Sequence, residues 1–188
     1  MNYFHRKICS SEKWAQGVAQ ILPRRLDGFD LGDRMLEIGP GYGATTRVLA
    51  GLTGQVTALE VDEASAALLR KEFDGGNVEI VHGDGADMPF EDNTFDSVVC
   101  FTMLHHVPSS ALQDKLFAEA YRVLRPGGVL RGADSLPSLR FRFLHIGDIM
   151  TTVDPATLPD RLATAGFGKV DVTHTPKQKV EFAGFKQG

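Results

Sequence analysis

Cysteine is scarce in this chain, with two residues in 188, Cys9 and Cys100. Two thiols so far apart in sequence make neither a disulfide framework nor a thiolate metal cluster, and a reducing cytoplasm is the expected setting. No apolar run approaches the ~20 residues of a membrane span. The stretch Met1-Asn2-Tyr3-Phe4-His5-Arg6-Lys7 lacks the apolar core of a signal peptide, so stable membrane insertion is not expected. There is no internal repeat and no low-complexity segment. No compact carboxylate cluster points to a required metal, and none is expected.

What is present is ordinary for a folded domain. The apolar fraction is 43% and the charged fraction 23%, and the length suits one domain with a substantial core. Charge is uneven: +4 over residues 1–25, −10 over 26–134 and +2 over 135–188. An acidic centre argues against nucleic acid as a partner. The basic N-terminal segment could make transient contact with a membrane surface or an anionic substrate, or be a solvated face.

The chain is organised around Met35-Leu36-Glu37-Ile38-Gly39-Pro40-Gly41-Tyr42-Gly43-Ala44. A short apolar run ends in alternating glycines, and Thr45 to Ala50 then reads as helix. A strand that stops in glycines and restarts as a helix opens a nucleotide-binding βα unit. The loop alone fits either G-x-G-x-x-G/A or G-x-G-x-G. Two residues tilt the choice. Glu37 would repel a pyrophosphate and welcome an amino group, and Pro40 removes a backbone N–H that a phosphate cradle would use. A cationic ligand with an amino-acid head suits the loop better than a dinucleotide, and S-adenosylmethionine is such a ligand.

The rest reads as alternating strand and helix. Residues 11–22 form an amphipathic helix capped by Ser10 or Ser11. Its apolar stripe is core packing or one wall of a substrate pocket. Strands follow at 34–38, 55–61, 78–82, 95–101 and 129–133, with helices at 44–52, 62–73 and 110–124. Glu60 comes about 20 residues after the glycine loop, where a carboxylate accepts from a ribose diol. Gly83 to Phe90 is a loop whose Asp84 can accept from an amino group. Residues 135–154 lack periodicity but hold Phe141, Phe143, Leu144 and His145, and read as a lid or pocket wall. A last helix starts at Asp154-Pro155. Lys169 to His174 and Lys179 to Phe185 are too close for a parallel crossover and pair as a hairpin. The fold class is α/β: a Rossmann-like, doubly wound, seven-stranded sheet with the last strand antiparallel. Residues 1–188 form a single domain, with 1–25 as a helical extension.

With these motifs in order, the chain resembles the class I S-adenosylmethionine-dependent methyltransferases from about residue 30 onward. The carriers are Leu36 to Gly43, Glu60, Gly83 to Phe90, Phe95 to Val99, Leu104-His105-His106 and Leu124 to Gly128. The nearest branch looks like the small-molecule enzymes that include quinone-biosynthesis methyltransferases. The resemblance implies strand order 3-2-1-4-5-7-6 and S-adenosylmethionine as cofactor. It implies that Glu37, Gly39, Gly41 and Tyr42 surround the methionine part, and that Glu60 and Val61 meet the ribose. Asp84, Gly85 and Ala86 should meet the adenine, and Phe101 or Thr102 should lie near the sulfonium.

The reaction so implied is in-line displacement at the cofactor methyl by a small acceptor, which could be apolar or lipid-like. The protein then supplies mainly proximity and alignment. His105 and His106 follow strand four and are candidates for a base or a substrate contact. Tyr3, Phe4, His106, Phe141 and His145 are candidates for the acceptor side. No Asp/Asn-Pro-Pro-Tyr run follows strand four, which argues against methylation of base amino groups. Two rival classes are a cofactor-binding or interaction subunit without turnover, and a dinucleotide oxidoreductase.

Overall fold

A computed structural model describes residues 3–188, without the side chains of Tyr3, Phe4 and Arg140. Two helices come first, α1 (Tyr3–Cys9) and α2 (Glu12–Leu26). Alternation then begins with β1 (Arg34–Ile38), α3 (Ala44–Leu49), β2 (Gln55–Glu60), α4 (Glu63–Glu72) and β3 (Val78–His82). After β4 (Phe95–Phe101) comes a single 3-10 turn at Leu104–His106, then α5 (Ser110–Val123) and β5 (Leu124–Ser135). The chain closes with α6 (Leu139–Leu144), α7 (Leu158–Thr164), β6 (Lys169–Thr175) and β7 (Lys179–Phe185).

The seven strands form one sheet in the order β3-β2-β1-β4-β5-β7-β6. β7 runs antiparallel to both β5 and β6, and the other pairs are parallel. This is the order that the resemblance implies and the hairpin that the short connection demands.

Both faces of the sheet are covered, because successive strand side chains point to opposite sides. Leu36, Val98 and Leu130 pack with Leu116, Phe117 and Val123 of α5 and with Leu158 and Leu162 of α7. Their sequence neighbours Met35 and Val99 pack on the other face with Leu22 and Leu26 of α2 and Leu49 of α3. All of these side chains are buried.

Several expectations need revision, among them the strand expected at 129–133, which already begins at Leu124. α2 continues four residues past its expected end, with Pro23 inside it. Pro23 forfeits one N–H bond, but the extra turn buries Leu26 in the core, and packing outweighs the local breaker. α1 was not foreseen, since seven residues carry too little periodicity to read. The last helix starts at Leu158, three residues after Pro155. Among the described residues, no helix is long and apolar enough to cross a membrane.

Candidate functional site

The sheet order reverses at β1, whose neighbours are β2 and β4. Connections leaving the carboxyl ends of β1 and β4 diverge there, and such a switch point opens a crevice. Here it is a cavity of about 960 Å³, near the upper end of the ~300–1,000 Å³ typical of small-molecule sites.

The glycine loop forms one wall. Gly41 has φ +58°, and a Cβ added there would meet nothing within 4 Å, so bare backbone faces the cavity. Gly43 precedes α3 at φ +73°, where a Cβ would lie 3.0 Å from the Phe73 ring and 3.1 Å from Leu69. Glycine thus lets the end of α4 close over the loop.

Glu60 ends β2, is 8% exposed and borders the cavity. Its Oε1 accepts the Asp62 N–H at 3.0 Å. Burial pushes its pKa up, and the backbone N–H groups of Asp62 and Gly41 act against that rise. Asp84 Oδ1 accepts the Ala86 N–H at 2.9 Å, which fixes the tight turn that carries Asp84, Gly85 and Ala86 into the wall. Thr102 follows β4 at φ +54°, a conformation that is costly for a β-branched residue. Its N–H donates to the Ala133 carbonyl at 2.8 Å and its hydroxyl to the Phe101 carbonyl at 2.7 Å. The bend sends Met103, His105 and His106 along the cavity.

Gly39, Tyr42, Val61 and Phe101 border the same space. Glu37 alone of the expected cofactor set does not. It is 2% exposed, and its Oε2 accepts the Thr46 hydroxyl at 2.6 Å. Burial pushes its carboxyl up to about 7 despite that bond, and Glu60 adds to the rise.

The opposite wall is a group of rings. His105, His106, Phe141 and His145, all expected at the acceptor or catalytic side, line it. Tyr3 and Phe4 have side chains outside the described residues, but the next residue in α1, His5, joins the wall. The His105 and His106 ring centroids lie 4.1 Å apart, His5 and His145 4.3 Å, and Phe141 and His145 4.2 Å. His105 Nδ1 lies 2.5 Å from Asp134 Oδ1, and Asp134 also accepts the His105 backbone N–H at 3.0 Å. Burial, then the neighbouring imidazoles, push His106 down to about 3. Burial also lowers His5 and His145.

Sequence reading missed His5, Asp134 and Gln113. Asp134 had a weak signal, an acid closing the apolar run of β5. Gln113 is fully buried on α5; its Nε2 donates to the carbonyls of Leu104 and Thr151 at 2.9 and 2.8 Å. It ties the turn after β4 to the segment after α6. Trp14 of α2 also borders the cavity, while Leu22 and Leu26 lie in the core, so that helix serves as pocket wall and as packing element together.

The donor set fits the cofactor expected from the sequence. Glu60 offers an acceptor for a diol, the bare Gly41 backbone leaves room, and Asp84 to Ala86 line a slot. Comparison with known proteins agrees. The family profile described as a methyltransferase domain matches residues 36–131. A "Probable S-adenosylmethionine-dependent methyltransferase" of Mycolicibacterium smegmatis is 34% identical over 156 residues, covering 79% of this chain and 57% of the relative. The demethylmenaquinone methyltransferase of Clavibacter sepedonicus is 35% identical over 100 residues, covering 52% and 39%. Phosphoethanolamine N-methyltransferase 2 of Haemonchus contortus, solved with S-adenosyl-L-methionine, superposes with a TM-score of 0.74 at 18% identity, covering 100% of this chain and 61% of that one.

The chain belongs to the class I S-adenosylmethionine-dependent methyltransferases. S-adenosylmethionine is the cofactor of that class. The chain spans about half the length of these curated relatives.

Proposed function

We propose that this chain transfers a methyl group from S-adenosylmethionine to a small apolar or lipid-like acceptor. The observation that carries this reading is a shared cavity: ten of the eleven residues expected to hold the cofactor border the space that the histidine wall closes. Bound S-adenosylmethionine supplies a methyl group already activated on sulfur. In this reading Glu60 holds the ribose diol and Asp84 to Ala86 flank the base. Gly39, Gly41 and Tyr42 lie along the amino-acid part, and Phe101 and Thr102 sit beside the sulfur. Glu37 stands behind the loop, held by the Thr46 hydroxyl.

The apolar character of the acceptor rests on Trp14, Phe141, Leu144 and Ile149, which border the cavity. On the same α6, Leu139 and Phe143 are exposed, an apolar edge over which such a molecule could enter. Residues 135–154 then serve as the lid. Unpaired Cys9 and Cys100 are consistent with a cytoplasmic setting.

The chain's own work is alignment and exclusion of water. His106 is a poor proton acceptor at neutral pH, because a value of about 3 leaves it too weakly basic to keep a proton. His105 turns its Nδ1 to Asp134. What its Nε2 holds decides whether this chain uses a histidine base at all.

Calorimetric titration with S-adenosylhomocysteine tests the reading. The folded chain should bind it stoichiometrically, and Glu60→Ala should weaken binding by about tenfold or more, the scale of one lost charged hydrogen-bonding group. No binding by well-folded protein, or tighter binding of a nicotinamide dinucleotide, contradicts it. Methyl transfer to any compound of an acceptor panel by the isolated chain excludes a subunit without turnover.

A further inference from the structure

We propose that His5, His105, His106 and His145 form a binding site for a divalent transition-metal ion of the zinc class. The four residues come from α1, the turn after β4 and the residue closing α6. One donor nitrogen from each lies within 4.8 Å of those of all the others. A tetrahedral shell with bonds of ~2.0–2.1 Å places donors about 3.3 Å apart, so small side-chain rotations complete it.

Two lone pairs ask for an occupant. His105 and His145 are 3% and 4% exposed, and the Nε2 of each is buried with no hydrogen-bond partner among the described residues. A buried polar atom left so is a standing cost unless something fills the space. Their Nδ1 atoms are engaged, His105 with Asp134 and His145 with the Phe141 carbonyl at 2.8 Å. His5 Nδ1 likewise faces Asp148 Oδ2 at 3.4 Å. An imidazole held at one nitrogen by a carboxylate or carbonyl, with the other turned to a common centre, is the outer arrangement that orients metal-ligating histidines.

Charge balances as well. Neutral imidazoles add none, and the buried carboxylates of Asp134 and Asp148 behind His105 and His5 offset a dication. An all-nitrogen set suits zinc, copper, nickel or iron and disfavours magnesium and calcium, which take oxygen. In this arrangement His105 Nε2 is a ligand and no histidine base operates. The ion lies on the cavity's ring wall, where an acceptor hydroxyl, thiol or enolate could approach as a fifth ligand.

The test uses the untagged full chain, stripped with a chelator and checked for fold by circular dichroism, with cobalt(II) as the probe. Uptake of one ion per chain with the visible ligand-field absorption of a four-coordinate nitrogen site is expected, and zinc should displace it. His5→Gln and His145→Gln should each weaken uptake at least tenfold, and Asp134→Asn by about 10–100-fold, as for outer-shell partners. His5→Gln, near the terminus, is the variant least exposed to misfolding. No stoichiometric uptake by the folded chain overturns the proposal, as does uptake indifferent to every one of these variants. A sulfur-to-cobalt charge-transfer band would overturn the all-imidazole set by bringing in Cys9, which borders the same cavity. S-adenosylhomocysteine titrated into the same sample separates failure of the metal site from failure of the cofactor reading.

Discussion

Glu37 has its proton affinity set by its burial. An unburied glutamate titrates near 4.5, and in the fold this one is pushed up to about 7. A raised folded value means that its contribution to stability is complete below about pH 4.5 and is lost as pH rises through 7. The swing is about 3 kcal/mol at 1.36 kcal/mol per unit. For the cofactor-free chain, urea midpoints should therefore fall between pH 5 and pH 8 more steeply in the wild type than in Glu37→Gln. Equal slopes for the two proteins would contradict the burial account. The position of Glu37 was legible in the sequence, because strand, glycines and helix follow one another without interruption. Its burial was not, since that depends on Thr46, nine residues onward in the first turn of α3, and on Glu60 across the loop. The same distinction governs the rest of the site. Gly39 to Tyr42, Glu60-Val61, Asp84 to Ala86 and Phe101-Thr102 each sit at a strand end within a short motif, and local order reveals them. The imidazole cluster unites positions 5, 105, 106 and 145, and no spacing or period links these in the chain.

At the scale of elements, the turn after β4 and the segment after α6 are held by one side chain. Gln113 donates to Leu104 and Thr151, and its Oε1 accepts from Arg161 at 3.0 Å. Thr151 N–H in turn donates to the His105 carbonyl at 2.8 Å. Gln113→Leu keeps much of the volume and strips both carbonyls of a partner, at a cost of about 1–3 kcal/mol. Hydrogen exchange of the Thr151 amide should quicken in that variant while the amides of β1 and β4 stay protected; unchanged Thr151 exchange would show that the tie is idle. Strands and the closing hairpin were readable because apolar runs, turn residues and connection lengths are local quantities, whereas the strand order followed from the family resemblance. Helix ends were less so. Pro23 argues for a stop, yet Leu26 finds a buried place against Met35 and Val56, and long-range packing prevails. Within residues 135–154 the helix was not legible, since six residues, Leu139–Leu144, are too few to show a period.

At the scale of the molecule, one reversal of strand order creates the crevice, and three layers of chemistry fill its walls. Glycines and Glu60 come from the β1 and β2 ends, a small-residue slot from the β3 end, and rings from α1, β4 and α6. The first two sets suit a nucleoside with a charged amino-acid arm. The third suits an apolar acceptor, with or without an ion between.

The most direct measurement is a crystal structure of the chain with S-adenosylhomocysteine. The account predicts the ribose hydroxyls on the Glu60 carboxylate, the base beside Asp84 to Ala86, and the sulfur at Phe101 and Thr102, turned toward the histidine rings. Ligand density outside the β1–β4 crevice, or the same crevice with the nucleoside reversed so that its base lies at Thr102, would contradict it.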